Sequence, residues 1–183
     1  HIGIPKKAYV DFYTTADPEC FKTSWSKGRV VAVGKIGEDG RVIEPDERIY
    51  SIILREADAI YIEADGSKCL PLKYPDHYEP ALPGTYDQVV VICGLSALDK
   101  PFDESCHRAE LARKMIGITN YLVDESVMAK VLLSGYGKYN PIVVLNQADT
   151  EELKSRGQNI AELLYRGGID YVSVLSLQGL LVI

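Results

Sequence analysis

Histidine is nearly missing from this chain: only His1, His77 and His107 occur in 183 residues, too few for a histidine-rich metal centre. Cysteine is equally thin. Cys20, Cys69, Cys93 and Cys106 are scattered, with no Cys-x-x-Cys pair and no Cys/His spacing of a zinc finger, so they are expected to be reduced thiols in a cytoplasmic protein. No apolar run approaches the roughly 20 residues that cross a bilayer, and the opening residues lack the basic, apolar and small-residue zones of a signal peptide. Positive charge is also in deficit. A formal net charge of −6 argues against nucleic acid or an anionic membrane as partner, though it leaves room for a local basic pocket. A Gly-x-x-x-x-Gly-Lys-Ser/Thr loop, whose backbone amides would cradle phosphates, occurs nowhere in the chain. Internal repeats, low-complexity tracts and linkers are absent too.

What is present is the composition of an ordinary globular protein, 46% hydrophobic and 25% charged, and the length suits one domain over residues 1–183. Residues 30–36 and 41–44 flank an Asp39-Gly40 turn and predict a peripheral β-hairpin. A helix is expected over 45–56, leading into a buried-type strand over 59–64. Residues 67–84 carry four prolines and little periodicity and read as a long loop over a site. Further strands are expected at 88–94, 141–146 and 171–176, and helices at 108–116, 124–133 and 150–165. Strands alternating with helices predict an α/β fold with a mostly parallel sheet and right-handed crossovers.

Three of these strand ends carry polar residues, and a parallel sheet would bring them to one edge: Glu63-Ala64-Asp65-Gly66, Asn146-Gln147-Ala148-Asp149 and the run to Ser176. Glu63 and Asp65, two positions apart, would face the same side and hold Mg²⁺ beside phosphates, or else form a solvated turn. Asn146 and Asp149 followed by a serine-containing strand end follow the order in which GTPases read a guanine base, with Gln147 where that motif has lysine. Asp149-Thr150-Glu151-Glu152 equally reads as a capping box opening a helix, and Asn146 as a plain turn residue. Lys68 and Lys73 flank the long loop, where they serve phosphate neutralisation or solubility. His107 and Arg108 precede a helix, and Cys106-His107 reads either as a loop cysteine beside a capping histidine or as a metal or redox pair. An arginine there opposes the helix dipole, which leaves its placement to be explained otherwise. His77 and Glu79 form an acid/base or metal pair or a hydrogen bond stapling the loop.

The run Ala57-Asp58-Ala59-Ile60-Tyr61-Ile62-Glu63-Ala64-Asp65-Gly66-Ser67-Lys68, followed by Leu70-Pro71-Leu72-Lys73, His77-Tyr78-Glu79-Pro80 and Val89-Val90-Val91-Ile92-Cys93-Gly94-Leu95-Ser96-Ala97-Leu98, resembles the YqeC family of selenium-dependent hydroxylase accessory proteins. His107-Arg108-Ala109-Glu110-Leu111 and Leu145-Asn146-Gln147-Ala148-Asp149 continue the resemblance in order. It implies a three-layer P-loop NTPase-like domain. Similar proteins open with a Gly-Gly-Lys-Thr-Thr phosphate loop and a threonine-rich strand running into a sequence like His1-Ile2, so this chain is expected to be N-terminally incomplete. The resemblance further implies binding of GTP or ATP with Mg²⁺ and a role in maturing selenium-dependent molybdenum hydroxylases, with a selenium donor or a hydroxylase as partner. Under it Glu63 and Asp65 would contact the metal and the attacking water, and Asn146 and Asp149 would read the base. Lys68, Lys73, His77, Glu79, His107 and Arg108 match recurrent family positions without a defined role. A non-catalytic adaptor that docks its partner through the 67–84 loop is the alternative.

Overall fold

A computed structural model describes residues 9–15 and 17–177; the opening His1-Ile2-Gly3-Ile4-Pro5 lies outside the described residues. The fold is mixed α/β, built from small, mostly parallel sheets and helices. Two compact units make up the chain, His1–Gly66 and Ser67–Ile183, and each has its own hydrophobic cluster.

In the first unit, strand β1 (Val10–Tyr13) leads through helix α1 (Pro18–Ser26) to strand β2 (Val30–Val33), which pairs with β1 in parallel. Asp17 caps α1 by accepting from the amides of Glu19 and Cys20, satisfying donors that a helix start leaves orphaned. Phe21 is fully buried, edge-on to Tyr13 at 5.3 Å, and packs with Ile49, Ile52 and Ile53. The expected hairpin is confined to its tip: β3 (Lys35–Ile36) and β4 (Val42–Ile43) are antiparallel around Gly40, whose φ of 74° suits a residue without Cβ. Its longer expected arm instead joins β1. Helix α2 (Glu47–Glu56) forms where its charged and apolar spacing predicts.

The expected strand over 59–64 does not form. Ile60 packs on the first unit's cluster, but Tyr61 is 96% exposed, and no strand pairs with this segment among the described residues. A buried-type composition makes a strand only when a neighbour takes up its amides.

The second unit contains strand β5 (Leu72–Lys73), strand β6 (Val90–Gly94), a short helix α3 (Phe102–Ser105), strand β7 (Cys106–His107), helices α4 (Ala109–Ile116) and α5 (Glu125–Tyr136), strand β8 (Ile142–Asn146), helix α6 (Glu151–Arg166) and strand β9 (Tyr171–Val174). Strands β6, β8 and β9 form a parallel sheet with β8 in the centre, as the alternation of strands and helices predicts. Side chains alternate across it. Val91, Cys93, Val143 and Leu145 point into a core shared with Val127, Met128 and Val131 of α5 and with Ile160 and Leu164 of α6. Fully burying one such aliphatic side chain contributes about 1.5–3 kcal/mol. On the opposite face Val90 and Ile92 remain 53% and 61% exposed. Helix α5 is capped by Asp124, whose side chain accepts from the Val127 amide at 2.7 Å, and α6 by Thr150, which accepts from the Leu153 amide at 3.1 Å. The cap of α6 is therefore Thr150, one residue beyond the Asp149 expected from the capping-box pattern. Among the described residues no helix is long and apolar enough to cross a membrane, and all four cysteines are free.

Candidate functional site at the carboxyl edge of the parallel sheet

At the carboxyl ends of β6 and β8 the second unit opens a crevice of about 260 Å³, lined by Ser67, Cys69, Pro71, Gly94, Asn146 and Gln147 among others. Open parallel sheets bind ligands at this edge because the strands end there and the following loops diverge. The size lies just below the ~300–1,000 Å³ of complete small-molecule pockets, which suits one part of a ligand, such as a base ring. Gly94 lets the walls approach: its amide donates to the Pro71 carbonyl at 2.8 Å, and a Cβ there would lie 2.3 Å from Gln147 Oε1 and 3.0 Å from Pro71. Gln147 adopts a left-handed backbone with φ of 68° and accepts from the Ser96 amide at 3.3 Å, spanning the two strand ends.

Asn146, Asp149 and Ser176 come together, as their placement at successive strand ends predicts. Asn146 Oδ1 accepts from the Leu177 amide at 3.0 Å, and the Ser176 hydroxyl donates to Asp149. Leu175 and Ala148 close the same corner through backbone bonds, Leu175 N to Leu145 O at 3.0 Å and Ala148 N to Leu175 O at 3.2 Å. The two candidate base readers thus also fix the loop after β9.

A second cluster lies in the loop after β5 and at the start of α4. Lys73, 7% exposed, forms an ion pair with Glu79 at 3.0 Å. Arg108 donates to both Glu79 oxygens at 3.1 and 2.9 Å, contacts Asp76 at 3.1 Å and donates to the Tyr78 hydroxyl at 3.1 Å. Burial works to raise the Glu79 carboxyl, but the Arg108 fork, the Asp76 amide and Lys73 outweigh it and hold it at about 2. Arg108 is correspondingly held above its ordinary value, chiefly by its bonds to Glu79. These contacts explain an arginine before a helix: Arg108, with φ of 64°, occupies the cap position of α4 without capping it by its side chain.

His77 and Glu79 do not pair with each other. His77 meets Asp76 at 2.8 Å, which lowers the Asp76 carboxyl, while Glu79 serves the two cations. Cys106-His107 is not a loop cysteine beside a capping histidine, because the two residues form β7, in parallel register with Leu72 and Lys73, and Arg108 holds the cap position of α4. Burial pushes the Cys106 thiol up to about 12, so it is a poor nucleophile. Sequence reasoning missed Asp76, Tyr78, Gly94 and Ser96. A glycine closing a β-branched run was the one available signal, at Gly94.

Glu63 and Asp65 belong to the first unit, in the irregular segment after α2. Glu63 is exposed and Asp65 half-buried. No group of three or more His, Cys, Asp or Glu side chains able to hold a metal occurs among the described residues. Two carboxylates alone still fit Mg²⁺, which usually takes one or two protein carboxylates and completes its shell with water and substrate phosphates.

The family model described as "YqeC protein" matches residues 1–110. A protein of Escherichia coli (strain K12) described as "Uncharacterized protein YqeC" is 39% identical over 75 residues, 40% of this chain and 29% of that protein's length. No solved structure matches the chain.

Proposed function

The chain belongs to the YqeC family, and we propose that it is a nucleotide-dependent accessory protein with a three-layer, P-loop NTPase-like design, acting in the maturation of selenium-dependent molybdenum hydroxylases. The observation that carries the nucleotide reading is the crevice at the carboxyl edge of β6 and β8, lined by Asn146 and Gln147, with Asp149 and Ser176 bonded to each other in the loops that follow β8 and β9. In this reading the edge receives the base of GTP or ATP, with the Asp149 carboxylate accepting from its N–H groups. Glu63 and Asp65 supply oxygen donors for Mg²⁺, which when bound neutralises phosphate charge and orients the attacking water. The selenium and molybdenum role rests on the sequence resemblance, as do a selenium donor or a hydroxylase as partner and a cytoplasmic location.

A second reading, a non-catalytic adaptor, is favoured by one observation: Asn146 and Asp149 already have internal partners that build the edge. Calorimetric titration with Mg²⁺–GTP and Mg²⁺–ATP, followed by a phosphate-release assay, separates the two. The nucleotide reading predicts saturable binding, and turnover that Asp65→Asn lowers by about a hundredfold or more. Absence of binding to either nucleotide would leave the adaptor.

A further inference from the structure

Asn146 and Gln147 both line the crevice at the sheet edge, and both end in a carboxamide, whose oxygen accepts and whose NH₂ donates. Their neighbours fix which end is spent. The Leu177 amide donates to Asn146 Oδ1 at 3.0 Å and the Ser96 amide to Gln147 Oε1 at 3.3 Å. A backbone N–H only donates, so in each pair the facing atom is the carboxamide oxygen and the NH₂ group is left over. Neither NH₂ has a hydrogen-bond partner among the described residues. At two half-buried positions, these donors call for acceptors brought by whatever enters the crevice.

The rest of the wall says what kind of group that is. Its serines and cysteines carry groups that serve either role, Leu70, Pro71 and Ile92 are apolar, and no charged side chain lines the crevice among the described residues. Such a wall suits a neutral ring better than a phosphate, which would lose water without gaining a cation. Purines differ at the relevant edge. A 6-oxopurine such as guanine shows two adjacent acceptors, O6 and N7, whereas adenine shows N7 beside a 6-amino donor. Two NH₂ groups match the first edge and meet a donor with a donor on the second.

We propose that the NH₂ groups of Asn146 and Gln147 hold the O6 and N7 edge of a 6-oxopurine, so that the crevice selects GTP over ATP. The inference rests on the nucleotide reading and deepens it, and the Asp149 carboxylate takes no part in it.

The test is calorimetric titration of the whole protein with Mg²⁺ complexes of GTP, ATP and 7-deaza-GTP, the last of which keeps O6 and every N–H of guanine but has carbon in place of N7. GTP should bind about tenfold or more tighter than ATP, and 7-deaza-GTP about fivefold or more weaker than GTP, as loss of a bond that leaves a positioned donor unpaired does. Gln147→Glu and Asn146→Asp keep an oxygen for the Ser96 and Leu177 amides and exchange the NH₂ for an acceptor. Each should cut the ratio of GTP to ATP affinity by about fivefold or more. The added negative charge weakens both triphosphates alike, so the ratio reports the base edge. Equal affinity for GTP and ATP, equal affinity for GTP and 7-deaza-GTP, or a ratio indifferent to both substitutions would overturn the proposal and leave the nucleotide reading standing. Binding to none of the three would remove both.

Discussion

Asn146–Asp149 and Glu63–Asp65 are the two polar segments offered for ligand chemistry, and they are held in opposite ways. The first leaves the central strand of a parallel sheet, bonded on both sides by β6 and β9, and its side chains are tied to the next strand end. The second lies in an irregular segment that joins no strand among the described residues, with Glu63 exposed. The difference separates two tasks. A ladder-built edge is preorganised and can read a shape, whereas an exposed carboxylate such as Glu63, outside any ladder, gains its geometry from what it binds. Substitutions at the edge and its supporting loop should therefore register in stability, and substitution of the exposed Glu63 in turnover alone.

The largest expected effect lies in the loop beside the crevice. Glu79→Gln removes a carboxylate shared by the mostly buried Lys73 and by Arg108, and should cost about 3 kcal/mol in urea denaturation of the second unit. Acid should do the same more gradually. The Glu79 carboxyl is held at about 2, below its ordinary 4.5, so its contribution is complete above pH 4.5 and is lost as pH falls from there through about 2. Melting temperature followed between pH 6 and 2 should thus show a decline that Glu79→Gln flattens.

A smaller effect belongs to the edge itself. Asn146→Ala leaves the Leu177 amide without its acceptor and should cost about 1–2 kcal/mol in the same denaturation experiment. Thr150→Ala, which removes the cap of α6, should cost about 1 kcal/mol. At the far end of the scale, Glu63→Gln should change stability by less than about 0.5 kcal/mol, as exposed substitutions do, while phosphate release falls. A large loss of stability in Glu63→Gln would break the contrast between the two segments.

Most of the second unit's architecture was legible in the sequence. Val89–Cys93, Pro141–Leu145 and Tyr171–Leu175 are β-branched or aliphatic runs closed by turn residues, and the helices between them show apolar spacing at 3.6. Because strand ends of a parallel sheet share an edge, Asn146, Asp149 and Ser176 could be brought together from pattern alone. Residues 59–64 misled for a physical reason. Ile60, Tyr61 and Ile62 have strand composition, but pairing is a tertiary event that composition does not contain. The ionic cluster was legible only as residue types. That Lys73 and Arg108 converge on one carboxylate depends on the two-residue β5–β7 pairing, far too short to leave a periodic signal.

The central claim is that the edge after β8 binds a nucleotide base, and calorimetric titration of Mg²⁺–GTP and Mg²⁺–ATP into the protein and into Asp149→Asn tests it most directly. The account predicts saturable binding to the parent protein, weakened at least about tenfold in Asp149→Asn, as loss of a charge-assisted base contact should be. Equal affinity in the two proteins, or binding to neither, would contradict it.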